Sequence, residues 1–573
     1  VSGHPRSTPA SRPPLQMTGP GRVVLALAVL VALLAPAGAE AQVRRERLDN
    51  ALTVIVRENP VAPVVAVSLL VRMGTRWEQP ATAGISNFVH AVMVKGTAKR
   101  GGSDLAEAVA ALGGKISATG EADYSEIRAS ALARFWRELL GLVAELALEP
   151  TLAADEVATE RDWLQSRIQK RRDNAPSRAF DELFAALYRA HPYALPALGT
   201  PASLARIDDA AIVAAYRAGY RPERLILSVS GQVSAAEVVA EARRLFGGLA
   251  PGGALADPAI PAPVSAGGRV VVELPAQQTQ ILVGGLAPAM SHPDHAAVKV
   301  LSTVLGGGMA GRLFVELRDK RGLAYTATAY YDPVREPGAL VLYLGTAPEN
   351  AARAEEALMR EVERIRREPV GAAELRRAKG YLLGRYAMDR RTNERQAWYL
   401  AFHEIQGQGQ DFPERYRRSV EAVSPADVQR VAQQYLSTIT TLVLRPKGAL
   451  LGPRLAHFLR GSDLLGEHAD VQRAGRLVLL HVLAVRLVAL HEIPLRSPEP
   501  SGPAEPDPDR LGDHFAPEFP RSTSAHVVSF GRQADRRPPR PPTIRPSARR
   551  AQTASARPGA PEILSNPRSN SDI

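Results

Sequence analysis

The feature that most constrains the fold of this chain is a repeated pattern of strands and helices. Apolar strand-like segments are followed by long amphipathic segments and then by another strand-like segment, and this order occurs twice. Such runs predict sheets with helices packed against them. The predicted strands are Leu52–Val56, Val64–Val71 and Leu225–Ser230 in the first half, and Val270–Leu274, Ile281–Val283 and Thr441–Leu444 in the second half.

A stretch rich in glycine, proline and alanine separates the two halves, as expected for a flexible connector. The sequence therefore predicts an α+β fold with two homologous domains, each a mostly antiparallel sheet with helices packed on one face. We place the N-terminal domain at residues 44–250, the linker at 251–268 and the C-terminal domain at 269–447.

Both ends of the chain differ from this repeat. Residues 1–41 are predicted to be a leader and signal peptide, with an apolar run at 23–35 and cleavage near Ala39 or Ala41. The run is too short for a stable membrane span, so we expect a periplasmic protein; an uncleaved anchor is the alternative. Residues 448–573 form a low-complexity tail that we expect to be disordered.

Charge and cysteine content exclude several functions. The leader contributes +2 and the tail +4 to the net charge of +12, which leaves +6 for the two domains and gives no reason to expect a nucleic-acid partner. The chain has no cysteine, which excludes disulfides, thiolate metal sites and a cysteine nucleophile.

The segment 84–97, GISNFVHAVMVKGT, has an apolar stripe at helical spacing. Positions 87, 90 and 91 share another face, in the spacing of the inverted zinc motif H-x-x-E-H. Together with GTRWE at 74–78 and GGKISA at 113–118, the segment resembles the pitrilysin/insulinase family of zinc metallopeptidases. The resemblance covers about residues 44–447.

The residues at the zinc-ligand positions have nevertheless changed. Asn87 and Ala91 stand where the family has its two histidines, His90 stands where it has the glutamate base, and Arg167 stands where it has a ligand glutamate. Amide, methyl and guanidinium groups are poor or repulsive partners for zinc. We therefore predict no metal, no cofactor and no catalytic residue in this chain alone.

A second group of family residues is retained. Arg318 and Tyr325 have the spacing of an arginine–tyrosine pair that, by the resemblance, binds the substrate backbone and stabilises the developing oxyanion. Gly306, Gly307 and Gly308 precede the pair, and a glycine-rich loop permits close approach of a peptide or sharp bending of the backbone. We assign these five residues to substrate binding.

Half-size members of this family often work as heterodimers in which one subunit holds the zinc and the other supplies the arginine and tyrosine. The resemblance implies that this chain is the non-catalytic, substrate-binding subunit of an exported zinc metallopeptidase. It would act on a peptide or unfolded polypeptide, and only with a paralogous partner that keeps H-x-x-E-H and the zinc. The alternatives are a stand-alone peptide-binding or scaffold pseudopeptidase, and an active metallopeptidase with unusual ligands.

Histidines elsewhere offer no replacement zinc site. His292 and His295 flank a Pro-Asp pair, which favours a solvated turn. His403 and Glu404 begin like H-E-x-x-H, but Gly407 stands at the position of the second histidine.

Overall fold

The computed structural model describes residues 43–253 and 257–447 and the backbone of residues 526–527. The predicted leader and all but two residues of the predicted tail lie outside these ranges. The strands of the first half are β1 (Val43–Arg47), β2 (Thr53–Glu58), β3 (Val64–Val71), β4 (Lys115–Gly120), β5 (Ser125–Leu132) and β6 (Leu225–Gly231). Its helices are α1 (Ile85–Met93), α2 (Gly102–Ala111), α3 (Trp136–Leu148), α4 (Ala154–Asp173), α5 (Ala175–Tyr188), α6 (Pro201–Arg206), α7 (Asp209–Gly219) and α8 (Ala235–Phe246).

The second half repeats this alternation of strands and helices. Its strands are β7 (Gly268–Leu274), β8 (Thr279–Ala287), β9 (Thr326–Tyr331), β10 (Gly338–Thr346) and β11 (Thr440–Pro446). Its helices are α9 (His295–Gly306), a π-helical segment (Phe314–Asp319), α10 (Ala351–Arg367), α11 (Ala372–Asp389), α12 (Asn393–Ile405), α13 (Phe412–Ala422) and α14 (Pro425–Tyr435).

The two sheets share one topology. The strand order β2-β6-β3-β5-β4 of the first half corresponds to β7-β11-β8-β10-β9 of the second. In each of these five-strand series the first pair is parallel and the others are antiparallel. In the first sheet, β1 also pairs antiparallel with the outer edge of β2. This correspondence confirms the predicted α+β fold of two homologous halves.

Each sheet is covered on one face by helices of its own half. In β3 the alternate residues Val65, Val67 and Leu69 enter a core shared with α1, α3 and α8. In the second half, Leu340 and Leu342 of β10 enter a core shared with α9 and α10. This alternation along each strand is what places one apolar face against helices.

The opposite face of each sheet is covered by a helix from the other half. Helix α5 packs against β8 and β11, and its buried side chains contact the second sheet through Phe180, Leu183 and Leu187. Helix α12 packs against β3 and β6 of the first sheet. The two halves therefore exchange one helix each, an arrangement that the repeat pattern did not predict.

Polar contacts secure α12 on the first half. The Asn393 amide nitrogen donates to the Val64 carbonyl at 3.2 Å, while its amide oxygen accepts from Asn59 at 2.7 Å. The Trp398 indole N–H donates to the Tyr124 hydroxyl at 3.1 Å. These bonds join buried or half-buried groups, so they fix the position of α12 as well as its packing.

At one edge of the first sheet, the two-residue strand β12 (His526–Val527) pairs antiparallel with β4. Among the described residues, no helix is both long and apolar enough to cross a membrane.

Candidate functional site

Helix α1 carries the degenerate motif in the interior of the first half, and every one of its residues is buried. Glu78 fixes its start, because its carboxylate accepts hydrogen bonds from the backbone N–H groups of Gly84 at 2.7 Å and Ser86 at 2.9 Å. Burial raises the pKa of Glu78, while these hydrogen bonds oppose the shift. The helix therefore begins at a defined residue, which sets the positions of its motif side chains.

Asn87 and Ala91 occupy the two positions that carry histidines in the motif. Asn87 is only 2% exposed, and its amide oxygen has no hydrogen-bond partner among the described residues. The end of β4 lies directly against it, since a Cβ at Gly120 would come within 2.9 Å of the Asn87 backbone nitrogen. Ala91 is completely buried and offers no donor atom.

His90 is fully buried, and both of its ring nitrogens are occupied by protein groups. Nδ1 lies 2.7 Å from the Ser86 carbonyl oxygen and Nε2 lies 2.8 Å from the Tyr220 hydroxyl. Because a carbonyl oxygen can only accept, Nδ1 carries the proton and Nε2 accepts from Tyr220. Burial lowers the pKa of His90 to about 4, so the imidazole is neutral at pH 7.

Arg167 lies on α4, which packs against α1. It is half-buried; burial lowers the pKa of its guanidinium, and the charge of Glu160 opposes that shift. Glu160 itself is buried and forms an ion pair with Lys95, with Nζ 2.5 Å from Oε1. Position 167 therefore carries a cation next to the ion pair between Lys95 and Glu160.

These four residues do not fit a zinc ion. Neither imidazole nitrogen of His90 is available, Ala91 has no ligand atom, and the Arg167 guanidinium would repel a dication. In the part of the chain that the structure describes, no group of three or more His, Cys, Asp or Glu side chains could hold a metal ion elsewhere.

Arg318 and Tyr325 lie next to each other in the second half. The Arg318 guanidinium carbon is 5.3 Å from the centre of the Tyr325 ring and 4.8 Å from that of Phe314. Tyr325 is 72% exposed, and its backbone N–H donates to the Gly345 carbonyl at 2.9 Å, at the end of β10. A cation and a phenol are therefore displayed to solvent from fixed backbone, as hydrogen-bond donors for an anionic or carbonyl group.

The three glycines serve the chain's own packing. A Cβ at Gly306 would clash with the backbone nitrogen of Ala329 in β9, and one at Gly307 would clash with the Thr303 carbonyl. Gly308 has φ +71, in the left-handed region that favours glycine. The loop is thus bent tightly against α9 and β9, which agrees with the sharp backbone bending predicted from its glycines. The other role, close approach of a peptide, stays a prediction.

The interpretation of His292 and His295 as parts of a solvated turn is wrong for His295. His295 begins α9 and is buried, with Nδ1 3.1 Å from the Tyr331 hydroxyl. Burial lowers its pKa to about 3. His292 remains half-exposed, and its Nδ1 accepts the backbone N–H of Asp294 at 3.0 Å.

The sequence did not predict two features of this site, the hydroxyl that bonds His90 and an ion pair next to Arg167. Tyr220, the partner of His90, lies 130 residues away from it and belongs to no recognisable motif. The ion pair between Lys95 and Glu160 joins the end of the α1 segment to α4. Lys95 lies inside the family-like segment 84–97, whereas nothing in the sequence pointed to Glu160 as its partner.

Comparison with protein families gives two matches that together span much of both halves. Residues 53–201 match the family described as "Insulinase (Peptidase family M16)". Residues 206–382 match the family described as "Peptidase M16 inactive domain".

Relatives and solved structures agree with these matches. An uncharacterized zinc protease of Mycobacterium tuberculosis is 30% identical over 417 residues, covering 72% of this chain and 93% of that protein. The uncharacterized zinc protease YmxG of Bacillus subtilis is 25% identical over 342 residues, covering 60% and 83%. A protease from Helicobacter pylori has a TM-score of 0.67 at 22% identity, covering 71% of this chain and all of that chain. A peptidase M16 inactive domain from Pseudomonas fluorescens has a TM-score of 0.65 at 22% identity, covering 71% and 98%.

Proposed function

Because the chain belongs to the insulinase family of peptidases, family M16, we propose that it is the non-catalytic, substrate-binding subunit of an exported heterodimeric zinc metallopeptidase. In this proposal a paralogous partner holds the zinc, and this chain supplies Arg318 and Tyr325 to the shared cavity. The substrate is a peptide or an unfolded polypeptide.

The observation that carries the proposal is the contrast between the two groups of family residues. His90 is bonded at both nitrogens inside the core, beside a methyl group and near a guanidinium where ligands would stand. Arg318 and Tyr325, by contrast, are paired and face solvent. A chain with this contrast can orient a peptide and stabilise negative charge but lacks the means to activate a water molecule on zinc.

Export is supported by the sequence of the leader alone, which has the order of a signal peptide. We place the mature protein in the periplasm, after cleavage near Ala39 or Ala41.

The test is co-expression with a paralogue that keeps H-x-x-E-H, followed by purification of the pair and measurement of peptide hydrolysis. We expect the pair to cleave peptides and each chain alone to be inactive. Arg318→Ala in the pair should lower kcat by about 100-fold, and Tyr325→Phe should also lower it, because each removes a donor to the developing oxyanion. Arg321→Ala, which removes an exposed arginine of the same segment, is the matched control and should leave kcat unchanged.

Two results separate the alternatives. If the pair forms but cleaves equally well with Arg318→Ala and Tyr325→Phe, the assigned role of these residues is wrong. If no pair forms and the isolated chain binds peptides, the stand-alone pseudopeptidase is favoured. The contact between Arg318 and Tyr325 within one chain is consistent with that second candidate.

A further inference from the structure

Three helices of the first half, α2, α3 and α8, enclose a groove that the proposed function does not use. The groove has a volume of about 520 Å³. This volume lies within the range of roughly 300–1,000 Å³ that is typical of ligand pockets. Among the described residues that line it, none belongs to the degenerate zinc motif or to the arginine–tyrosine pair. The groove is therefore a separate feature of the molecule.

Helix α3 lines the length of the groove with one row of residues. Glu138, Gly141, Leu142, Glu145 and Leu148 lie on the same side of the helix, because positions 138, 141, 145 and 148 are three or four residues apart. From its first to its last residue the row is about 15 Å long, at a rise of ~1.5 Å per residue. A second helix of about ten residues has the same length.

The floor of the groove is apolar and open at its centre. Leu112 and Leu142 belong to the core of the first half, and Leu148 and Leu245 pack against that core. A Cβ at Gly141 would meet no atom within 4 Å, so this position leaves free space above the floor. Glycine inside a helix is less stable than leucine or alanine. Here it keeps room for an incoming side chain.

One carboxylate at the rim of the groove is available to a ligand. Glu138 lies in the first turn of α3, is exposed, and forms no ion pair with any described residue. The other charged side chains that line the groove are already in ion pairs: Lys99 with Glu149, Arg100 with Glu145, and Arg244 with Glu241. A ligand that complements this groove therefore combines apolar surface with one cation.

We propose that the groove between α2, α3 and α8 binds an amphipathic helix of a partner polypeptide. Leucine-like residues of that helix pack on Leu142, Leu148 and Leu245, and one of them fills the space above Gly141. A lysine or arginine at one end of the helix pairs with Glu138. Helices dock in apolar grooves through anchors at i, i+3, i+4 and i+7, and the row on α3 has the same spacing.

The backbone of the ligand also favours a helix. Among the described residues that line the groove, none lies in a strand, so no sheet edge is present to pair with an extended peptide. An extended peptide would therefore bury backbone N–H and C=O groups without partners, whereas a helix satisfies these groups internally. This inference goes beyond the proposed function and does not depend on zinc or on peptide cleavage.

The test uses the isolated full-length chain and fluorescein-labelled peptides, with affinity measured by fluorescence anisotropy. The parent peptide is an alanine-based helix of about 14 residues, with three leucines at helical spacing and a lysine at each end. A peptide with the leucines replaced by alanine should bind at least tenfold more weakly. A peptide with a central proline, which breaks the helix, should also bind at least tenfold more weakly. A peptide with glutamate in place of both lysines should bind about fivefold more weakly.

Variants assign the binding to this groove. Gly141→Leu should weaken binding of the parent peptide by at least tenfold while it keeps or raises the melting temperature, because the new side chain fills the groove and favours the helix. Gly380→Leu, at an exposed glycine inside α11 that also has open space, is the matched control and should bind like the wild type. Glu138→Lys should reverse the preference, so that the glutamate peptide binds more tightly than the lysine peptide.

Four results would overturn the proposal. They are no binding of the parent peptide, unchanged affinity in Gly141→Leu, a charge preference that survives Glu138→Lys, and equal affinity for the proline peptide. Analytical ultracentrifugation adds a fifth: a dimer of this chain that dissociates with Gly141→Leu would assign the groove to a second copy. Gly141→Ala, which adds one methyl group in open space, keeps the test valid if the leucine variant unfolds. Failure here leaves the hydrolysis test of the heterodimer unaffected, and the reverse also holds.

Discussion

The buried pair of His90 and Tyr220 shows how the surroundings of a single residue decide its role. A histidine in a zinc-like motif could be a ligand or a base, but here both ring nitrogens are satisfied by the Ser86 carbonyl and the Tyr220 hydroxyl. An imidazole in this state stabilises the core and is closed to metal.

Tyr220→Phe should therefore destabilise the protein without affecting peptide binding. The substitution leaves His90 Nε2 buried and unpaired, which costs about 1–3 kcal/mol. The measurement is the free energy of unfolding from urea denaturation. Tyr325→Phe, at an exposed tyrosine, is the control and should change this free energy by less than about 0.5 kcal/mol. Equal stability of the Tyr220→Phe variant and the wild type would show that the hydroxyl does not serve His90.

His90 should also make stability depend on pH. Its folded-state pKa is about 4, below the ordinary value of 6.5, because burial disfavours the charged ring. Between these two pH values the unfolded chain binds a proton that the folded chain does not, so the free energy of unfolding falls as the pH falls, by up to about 1.4 kcal/mol per pH unit. His90→Gln should reduce that slope in urea titrations between pH 6.5 and 4. Burial lowers the pKa values of His295 and His403 to about 3, so these two residues should account for the pH dependence that remains. An unchanged slope in the His90→Gln variant would contradict the assignment.

At this scale the sequence predicted chemistry from residue type. Asn87, Ala91 and Arg167 are poor zinc ligands at any place in the fold, so the loss of the zinc site could be predicted from residue type alone. The state of His90 could not be predicted, because it depends on a hydroxyl that only the tertiary fold brings within 2.8 Å.

At the scale of secondary-structure elements, the glycine-rich loop is shaped by its contact with β9. Gly306→Ala should destabilise the protein by about 1–3 kcal/mol, because the added methyl group would clash with the Ala329 backbone. Gly380→Ala is the matched control: Gly380 lies inside α11 with open space around its Cα, so alanine there should stabilise by about 0.5–1 kcal/mol. Thermal unfolding of both variants measures the contrast, and equal melting temperatures would refute the packing role of Gly306.

The strands were predictable and the exchanged helices were not. Apolar runs such as Val64–Val71 mark strands locally, and the observed β3 has these bounds. Helix α5 has an apolar stripe of the same kind as the other helices, so nothing in its sequence specifies that Phe180 packs under the sheet of the other half. Local periodicity identifies the buried face of a helix but not the partner that buries it.

At the scale of the whole molecule, the exchanged helices predict that the two halves stay together when the connector is cut. Phe180, Leu183 and Leu187 of α5 are buried against the second sheet, and each such side chain stabilises the contact by about 1.5–3 kcal/mol. A specific protease site inserted after Gly253 should give two fragments that co-elute in size-exclusion chromatography and separate only in denaturant. Separation of the fragments under native conditions would contradict the reciprocal packing of α5 and α12.

The central claim concerns zinc: this chain holds none itself and depends on a partner for it. The most direct measurement is the zinc content of the purified, isolated chain after dialysis against zinc and then against metal-free buffer, beside a family member with an intact H-x-x-E-H motif. The four changed positions and the occupied nitrogens of His90 predict no stoichiometric zinc in this chain and bound zinc in the control. One zinc ion per chain that is lost with His90→Ala would contradict the account.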